Sequence, residues 1–102
     1  MLKPKKVPKE LQGVLWSADI NQLDLEEHKR YIIHQVLMYG SFADMVWLFT
    51  VYSRSVINTV FMKHPSKVYT KEAFHFIKNY VLGLTKEPLA LSDYVNNIHR
   101  RT

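Results

Sequence analysis

A chain of 102 residues, 47% of them hydrophobic, has the size of one domain and enough apolar side chains to build its own core. The absence of cysteine excludes disulfide bonds, thiolate metal sites and cysteine nucleophiles. No apolar run approaches the ~18 residues of a membrane span, and no apolar segment follows the basic N-terminus as in a signal peptide. We therefore expect a cytoplasmic protein that does not interact with membranes.

The first eight residues are predicted to form a flexible basic arm, because Lys3, Lys5 and Lys6 lie among prolines with little to bury. The rest, residues 9–102, is predicted to be a single helical domain. It begins with one or two helical turns after Pro8, which would dock four apolar side chains on the main body. These side chains are Leu11, Val14, Leu15 and Trp16.

Two adjoining segments, residues 24–40 and 41–52, carry the clearest helical signals. Asp24 can cap the first helix, and Gly40 is expected to end it in the left-handed conformation. Ser41 can cap the second helix, with Asp44 in the capping-box position three residues later. The second segment is apolar on nearly every side, so we expect other elements to surround it.

Three further helices are predicted in the second half of the chain. Ser53 or Ser55 can cap the first, which stops before Pro65. Thr70 can cap the second, which ends near Gly83, and a short last helix is predicted from Ser92 onward. Because no stretch alternates as a strand does, the predicted fold is an all-α, compact bundle of about five helices.

Catalytic and metal-binding patterns are weak in this sequence. His28 and His34 are six residues apart, so one helical face cannot present both to a metal ion. The carboxylates of Asp24, Glu26 and Glu27 are explained by a helix N-terminus, where negative charge is favourable. The sequence has only three glycines and no phosphate-binding loop. We expect a protein that is not an enzyme and has no metal or cofactor.

A set of apolar and polar positions within residues 14–77 resembles a family of small, largely uncharacterised bacterial helical proteins. Proteins of that family tend to be encoded beside nucleotidyltransferase toxins of the abortive-infection type. The positions are Leu15-Trp16, Leu23-Asp24, His28, Ile32-Ile33, Val36-Leu37, Gly40, Trp47-Leu48, Tyr52, Ile57 and Val60.

The resemblance implies an antitoxin-like protein that binds and neutralises a cognate nucleotidyltransferase toxin. The residues suggest where such a partner would bind, because exposed Trp and Tyr are favoured at interfaces and an acidic surface suits a basic nucleotide or RNA site. The predicted partner-binding residues are Trp16, Asp19, Asp24, Glu27 and Tyr31.

The alternative is a helix-turn-helix-like transcriptional regulator that binds operator DNA. Two helices joined tightly around residues 52–54 have the outline of that motif, and the chain carries a formal net charge of +5. The predicted nucleic-acid-binding residues are Lys3, Lys5 and Lys6 in the arm and Arg54, Asn58 and Lys63 in the second helix of the pair. The sequence leaves the oligomeric state open.

Overall fold

A computed structural model describes residues 7–95, which form four α-helices and no strand. They are α1 (Lys29–Tyr39), α2 (Phe42–Val51), α3 (Arg54–Lys63) and α4 (Lys71–Phe76). The all-α prediction is confirmed, but the predicted number of about five helices is wrong. The described residues of the first and last predicted helices form short 3-10 helices, Lys9–Gly13 and Leu91–Asp93, and residues 96–102 of the last one lie outside the described part of the chain. No helix in residues 7–95 is both long enough and apolar enough to cross a membrane.

The N-terminal turn docks on the core through Leu11 and Leu15, as predicted. Val7, which the sequence placed in the arm, is buried with them. The prediction that Trp16 docks with them is wrong, because its side chain is largely exposed. The arm lysines Lys3, Lys5 and Lys6 lie outside the described residues.

Helix α1 is the centre of the fold, and its buried face is the predicted one. Ile32, Ile33, Val36 and Leu37 are at most 1% exposed. The regular helix begins at Lys29 rather than at Asp24, because residues 25–28 form turns. The Asp24 carboxylate still stabilises the start of α1, because it accepts hydrogen bonds from the backbone N–H groups of Glu26 at 3.0 Å and Glu27 at 2.7 Å.

Gly40 ends α1 for a reason other than the predicted one. Its backbone is extended, with φ −75° and ψ 155°, so the prediction of a left-handed conformation is wrong. The backbone N–H of Gly40 donates to the Val36 carbonyl oxygen at 2.8 Å, and a Cβ on Gly40 would lie only 2.6 Å from that oxygen. Glycine is therefore favoured because of this close approach.

Helix α2 begins with the predicted capping box. The Ser41 hydroxyl accepts from the Asp44 N–H, and the Asp44 carboxylate accepts from the Ser41 N–H. The prediction that α2 is surrounded is wrong for residues 7–95. Leu48 and Val51 are buried, but Phe42 and Val46 are exposed, because no described segment packs over that face of the helix.

Ser53, and not Ser55, caps α3 by accepting a hydrogen bond from the Val56 N–H. Thr70 caps α4 in the same way. The helical segment that begins with α4 continues as a π-helix over Ile77–Val81. It ends near Gly83, as predicted, and the backbone of Gly83 is left-handed with φ +67°.

An aromatic cluster closes the core at the C-terminal side. The Tyr94 ring lies 4.8 Å from that of Phe61 and 4.7 Å from that of Phe74, measured between ring centroids. The Tyr94 hydroxyl donates to the Phe61 carbonyl oxygen at 2.6 Å, and burial raises the pKa of this phenol to about 12. Tyr69 and Val95 form an isolated parallel bridge. The described part of the segment predicted as a last helix, up to Val95, is thus a turn that holds Tyr94 in the core.

Candidate functional site

Trp16 and Tyr39 form an exposed aromatic pair. Their ring centroids are 6.3 Å apart and their planes are inclined by 72°, the edge-to-face arrangement that aromatic pairs favour. Trp16 is 62% exposed and Tyr39 48% exposed. Trp16 follows the N-terminal turn, whereas Tyr39 is the last residue of α1, so the fold brings together two aromatic residues that are distant in sequence.

Hydrogen bonds fix the segment that carries Trp16 against α1. The backbone N–H and the hydroxyl of Ser17 contact the Tyr31 hydroxyl at 3.2 and 2.7 Å. The amide of Gln35, a buried residue, donates to the Val14 carbonyl oxygen at 3.0 Å. Trp16 is therefore presented by a backbone that is held on both sides. Tyr31, a predicted partner-binding residue, is half-buried and positions this segment through its hydroxyl.

Gln12 and Gln35 were missed by sequence reasoning. The Gln12 side chain donates to the Leu15 and Ala18 carbonyl oxygens and accepts from the Ile20 N–H. Glutamine has no local signature for such a role, since these bonds depend on how the N-terminal segment folds back on itself.

The predicted acidic residues lie near the beginning of α1. The Asp19 carboxylate accepts from the Asn21 N–H and caps a 3-10 turn. Asp24 and Glu27 are adjacent, because the Asp24 carboxylate accepts from the Glu27 N–H, and both are exposed. Tyr39 lies ten residues after Lys29, the first residue of α1, which corresponds to roughly 15 Å along the helix axis. We call the beginning of α1, with Asp24 and Glu27, its acidic end. Trp16 contacts Tyr39 at the other end of α1, whereas Tyr31 lies in the first turn of the helix.

Arg54, predicted to contact DNA, is occupied within the fold. Its guanidinium donates to the carbonyl oxygens of Val81 and Leu82 at 3.3 Å each, and it lies 5.2 Å from the centre of the Phe49 ring. These contacts join the beginning of α3 to the end of the π-helical turn. The cation also satisfies carbonyls that a helix end leaves free.

Asn58, four residues after Arg54, lies on the same face of α3, whereas Lys63 does not. Asn58 is half-buried, and its side-chain carbonyl oxygen is buried with no hydrogen-bond partner in the described part of the chain. Lys63 is exposed at the last position of α3, nine residues after Arg54 and therefore half a turn away around the helix.

A basic pocket lies between α1 and α3. We use this name for two adjoining cavities of 270 and 340 Å³ that share Arg30 and His64. The Arg30 guanidinium lies 3.3 Å from Nε2 of His64, and Ser55 and Thr59 of α3 line one cavity. Sequence reasoning missed Arg30 and His64, because 34 residues separate them and no short motif contains both.

His34 lies beneath the basic pocket and has a structural role. Its Nε2 donates to the His64 carbonyl oxygen at 2.7 Å, so its Nδ1 accepts from the Tyr69 hydroxyl at 2.6 Å. Burial lowers the pKa of His34, against the opposing effect of the hydrogen bond to the His64 backbone. Among residues 7–95, no three histidine or carboxylate side chains are grouped so as to hold a metal ion.

An apolar groove of about 690 Å³ runs between α2 and the segment formed by α4 and the π-helical turn. Four of the side chains at the groove are markedly exposed: Phe42 by 83%, Tyr80 by 81%, Phe76 by 56% and Val46 by 51%. The remaining lining residues are Met45, Phe49, Thr50 and Val81. The sequence signal for this surface was the apolar character of α2 on nearly every side.

A family model described as a family of unknown function (DUF6922) matches residues 11–61, half of the chain. The chain belongs to this family. No curated protein and no solved structure matches this chain. The region matched to DUF6922 contains the aromatic pair and the acidic end of α1, together with α2 and most of α3. The wall of the apolar groove that Phe76 and Tyr80 form lies outside it.

Proposed function

We propose that this DUF6922 protein is an antitoxin-like protein of the cytoplasm that binds and neutralises a cognate nucleotidyltransferase toxin and has no enzymatic activity. The observation that carries the proposal is the exposed pair of Trp16 and Tyr39. Tryptophan and tyrosine are the residues most often found as binding hot spots between proteins. The identification of the partner as a nucleotidyltransferase toxin rests on the resemblance described in the sequence analysis.

The way in which Trp16 is held supports a role as an anchor. Association is weakened by the entropy lost when mobile groups become ordered, and that loss is smaller for a group that is already fixed. The hydrogen bonds from Ser17 to Tyr31 and from Gln35 to Val14 fix the backbone on both sides of Trp16 before any partner arrives.

The acidic end of α1 supplies a charge that suits this partner. Asp24, Glu26 and Glu27 are all exposed there. An enzyme that transfers nucleotides binds phosphates and therefore presents basic groups at its active site, so opposite charges would guide the two proteins together. A standard interface covers roughly 800 Å² on each partner, which is wide enough to include both ends of α1.

The test is co-expression of the full chain with the product of a neighbouring nucleotidyltransferase gene, followed by pull-down and a growth assay. We expect a stable complex that restores growth. Trp16→Ala should weaken the complex by about 30-fold or more, the effect typical of a hot spot. Tyr80→Ala, which removes another exposed aromatic side chain, is the matched control and should bind as the unchanged protein does. A toxin that neither binds nor is neutralised would refute the proposal.

Operator DNA remains the second candidate ligand, and the basic pocket favours it. Ser55 and Thr59 of α3 line that pocket together with Lys29 and Arg30, so a phosphate group could meet all four. Binding through phosphates weakens steeply as salt concentration rises. We would measure binding to promoter DNA at several salt concentrations. If DNA is the ligand, Arg30→Ala should make the slope of the logarithm of the binding constant against the logarithm of the salt concentration shallower by about one.

A further inference from the structure

The apolar groove is a surface that the proposed toxin interface does not use. Phe42, Met45, Val46 and Phe49 of α2 recur at spacings of three and four residues, which places them along one stripe of the helix. Phe76 and Tyr80 form the opposite wall, with ring centroids 5.9 Å apart. Exposed apolar patches of this extent mark interaction sites in soluble proteins.

The parts of the chain outside residues 7–95 offer few side chains that could cover the groove. Residues 1–6 and 96–102 contain three large aliphatic side chains, namely Met1, Leu2 and Ile98, and no aromatic one. The occupant of a groove with three exposed aromatic rings is expected to bring a comparable apolar surface. The chain itself carries such a surface on α2.

The absence of charge in the groove favours a second copy of the same chain. None of the eight lining residues is Asp, Glu, His, Lys or Arg, and the polar side-chain groups among them are the hydroxyls of Thr50 and Tyr80. Around a two-fold axis each side chain faces the same patch of the partner, so a charged patch would repel itself. An uncharged, apolar patch is complementary to its own copy.

The available area is sufficient for a dimer. Aromatic side chains bury roughly 200 Å² each, so the exposed fractions of Phe42, Phe76 and Tyr80 amount to roughly 450 Å². With Val46 and the groove floor, two copies would bury roughly 1,000 Å² or more in total, the lower bound for a specific interface.

We propose that the protein forms a symmetric homodimer in which the apolar grooves of two copies face each other. In this dimer α2 lies antiparallel to α2 of the second copy. Phe42 of each copy enters the groove of the other copy beside Phe49, and the two-fold axis passes near Val46, at the middle of the stripe. The proposal concerns a surface separate from the Trp16 site and does not depend on the toxin.

The first test measures the mass of the purified full chain by sedimentation equilibrium over a range of concentrations. We expect a reversible dimer. Phe42→Asp and Tyr80→Asp should each raise its dissociation constant by about 30-fold or more, because each removes an aromatic contact and places a charge in an apolar interface. Trp16→Asp is the matched control and should leave the dimer intact. Circular dichroism and thermal melting of each variant would show that the monomer remains folded.

A second test locates the axis and benefits from the lack of cysteine in the chain. Val46→Cys introduces a single thiol, which should form an intermolecular disulfide under mild oxidation, whereas Trp16→Cys should not. A wild-type protein that stays monomeric at high concentration would overturn the proposal. A dimer that is insensitive to Phe42→Asp and Tyr80→Asp, or a groove that is filled only by a different protein, would overturn it as well.

Discussion

The Tyr69 hydroxyl donates a hydrogen bond to Nδ1 of His34 over 2.6 Å, in the interior of the protein. The opposite ring nitrogen of His34 donates to the His64 carbonyl oxygen. One imidazole thus ties α1 to the end of α3 and to the residue before the Thr70 cap of α4. Both ring nitrogens are satisfied in the neutral form, whereas protonation of Nδ1 would replace the acceptor for Tyr69 with a second donor.

This arrangement predicts a dependence of stability on pH. Burial lowers the pKa of His34 in the folded chain below its ordinary value of 6.5, so the unfolded chain binds a proton first as the pH falls. The free energy of unfolding should therefore decrease below about pH 6.5, by at most about 1.4 kcal/mol per pH unit from this group, until the lowered pKa is reached.

Urea unfolding at several pH values would measure that slope in the unchanged protein and in His34→Gln. The variant should lose the part of the slope that His34 contributes. At pH 8 it should be less stable by about 1–3 kcal/mol, because a glutamine reproduces the buried hydrogen bonds poorly. Identical slopes in the two proteins would show that His34 does not titrate as described.

Gly40→Ala should destabilise the protein by about 1–3 kcal/mol. The new Cβ would lie 2.6 Å from the Val36 carbonyl oxygen and 3.0 Å from the Asp44 Cβ, so the junction of α1 and α2 must shift. Gly13→Ala is the control, because a Cβ there meets nothing within 4 Å. Thermal melting of both variants would test this, and equal changes in melting temperature would contradict the close approach at Gly40.

Ser53→Ala should cost about 1 kcal/mol of stability, the usual effect of losing an N-cap. Ser53 is the N-cap of α3, and its hydroxyl accepts from the Val56 N–H at 3.1 Å. Ser55→Ala is a matched control, since Ser55 lies inside the helix and is exposed. In chemical unfolding, Ser53→Ala should have the lower free energy of unfolding of the two variants. A lower value for Ser55→Ala would identify Ser55 as the N-cap.

Tyr31→Phe should loosen the segment that carries Trp16, because it removes the hydroxyl that Ser17 contacts twice. In a Trp47→Phe background Trp16 is the sole tryptophan, and its fluorescence anisotropy should fall when Tyr31 is replaced. If Trp16 anchors the toxin, the affinity for the toxin should fall in parallel. Tyr80→Phe, at an exposed position in the groove, should change neither quantity.

The residues predicted to bind the toxin and those predicted to bind DNA differ in how accessible they are to a ligand. Trp16 is presented on a fixed backbone, and the acidic residues Asp24 and Glu27 are accessible. By contrast, Arg54 is engaged by two backbone carbonyls and Asn58 has a buried carbonyl oxygen. A DNA ligand would therefore be expected to rely on Arg30 of the basic pocket more than on α3 alone.

Local features of this protein were determined by the sequence alone. The caps at Ser41 and Thr70 and the helix end at Gly83 depend on residues three to six positions apart, and each lies where the sequence predicts it. The buried face of α1 was also predicted from the sequence, because helical periodicity places apolar side chains on one side. Such features need no knowledge of what a segment packs against.

Only the tertiary structure decided which surfaces remain open. The Arg54 guanidinium donates to carbonyl oxygens 27 and 28 residues away, and the basic pocket joins two residues 34 positions apart. Phe42 is exposed because no described segment covers its face of α2. The described residues of the first and last predicted helices form only short 3-10 helices, Lys9–Gly13 and Leu91–Asp93. Periodicity indicates which side chains are apolar, but burial depends on contacts between segments that no local pattern contains.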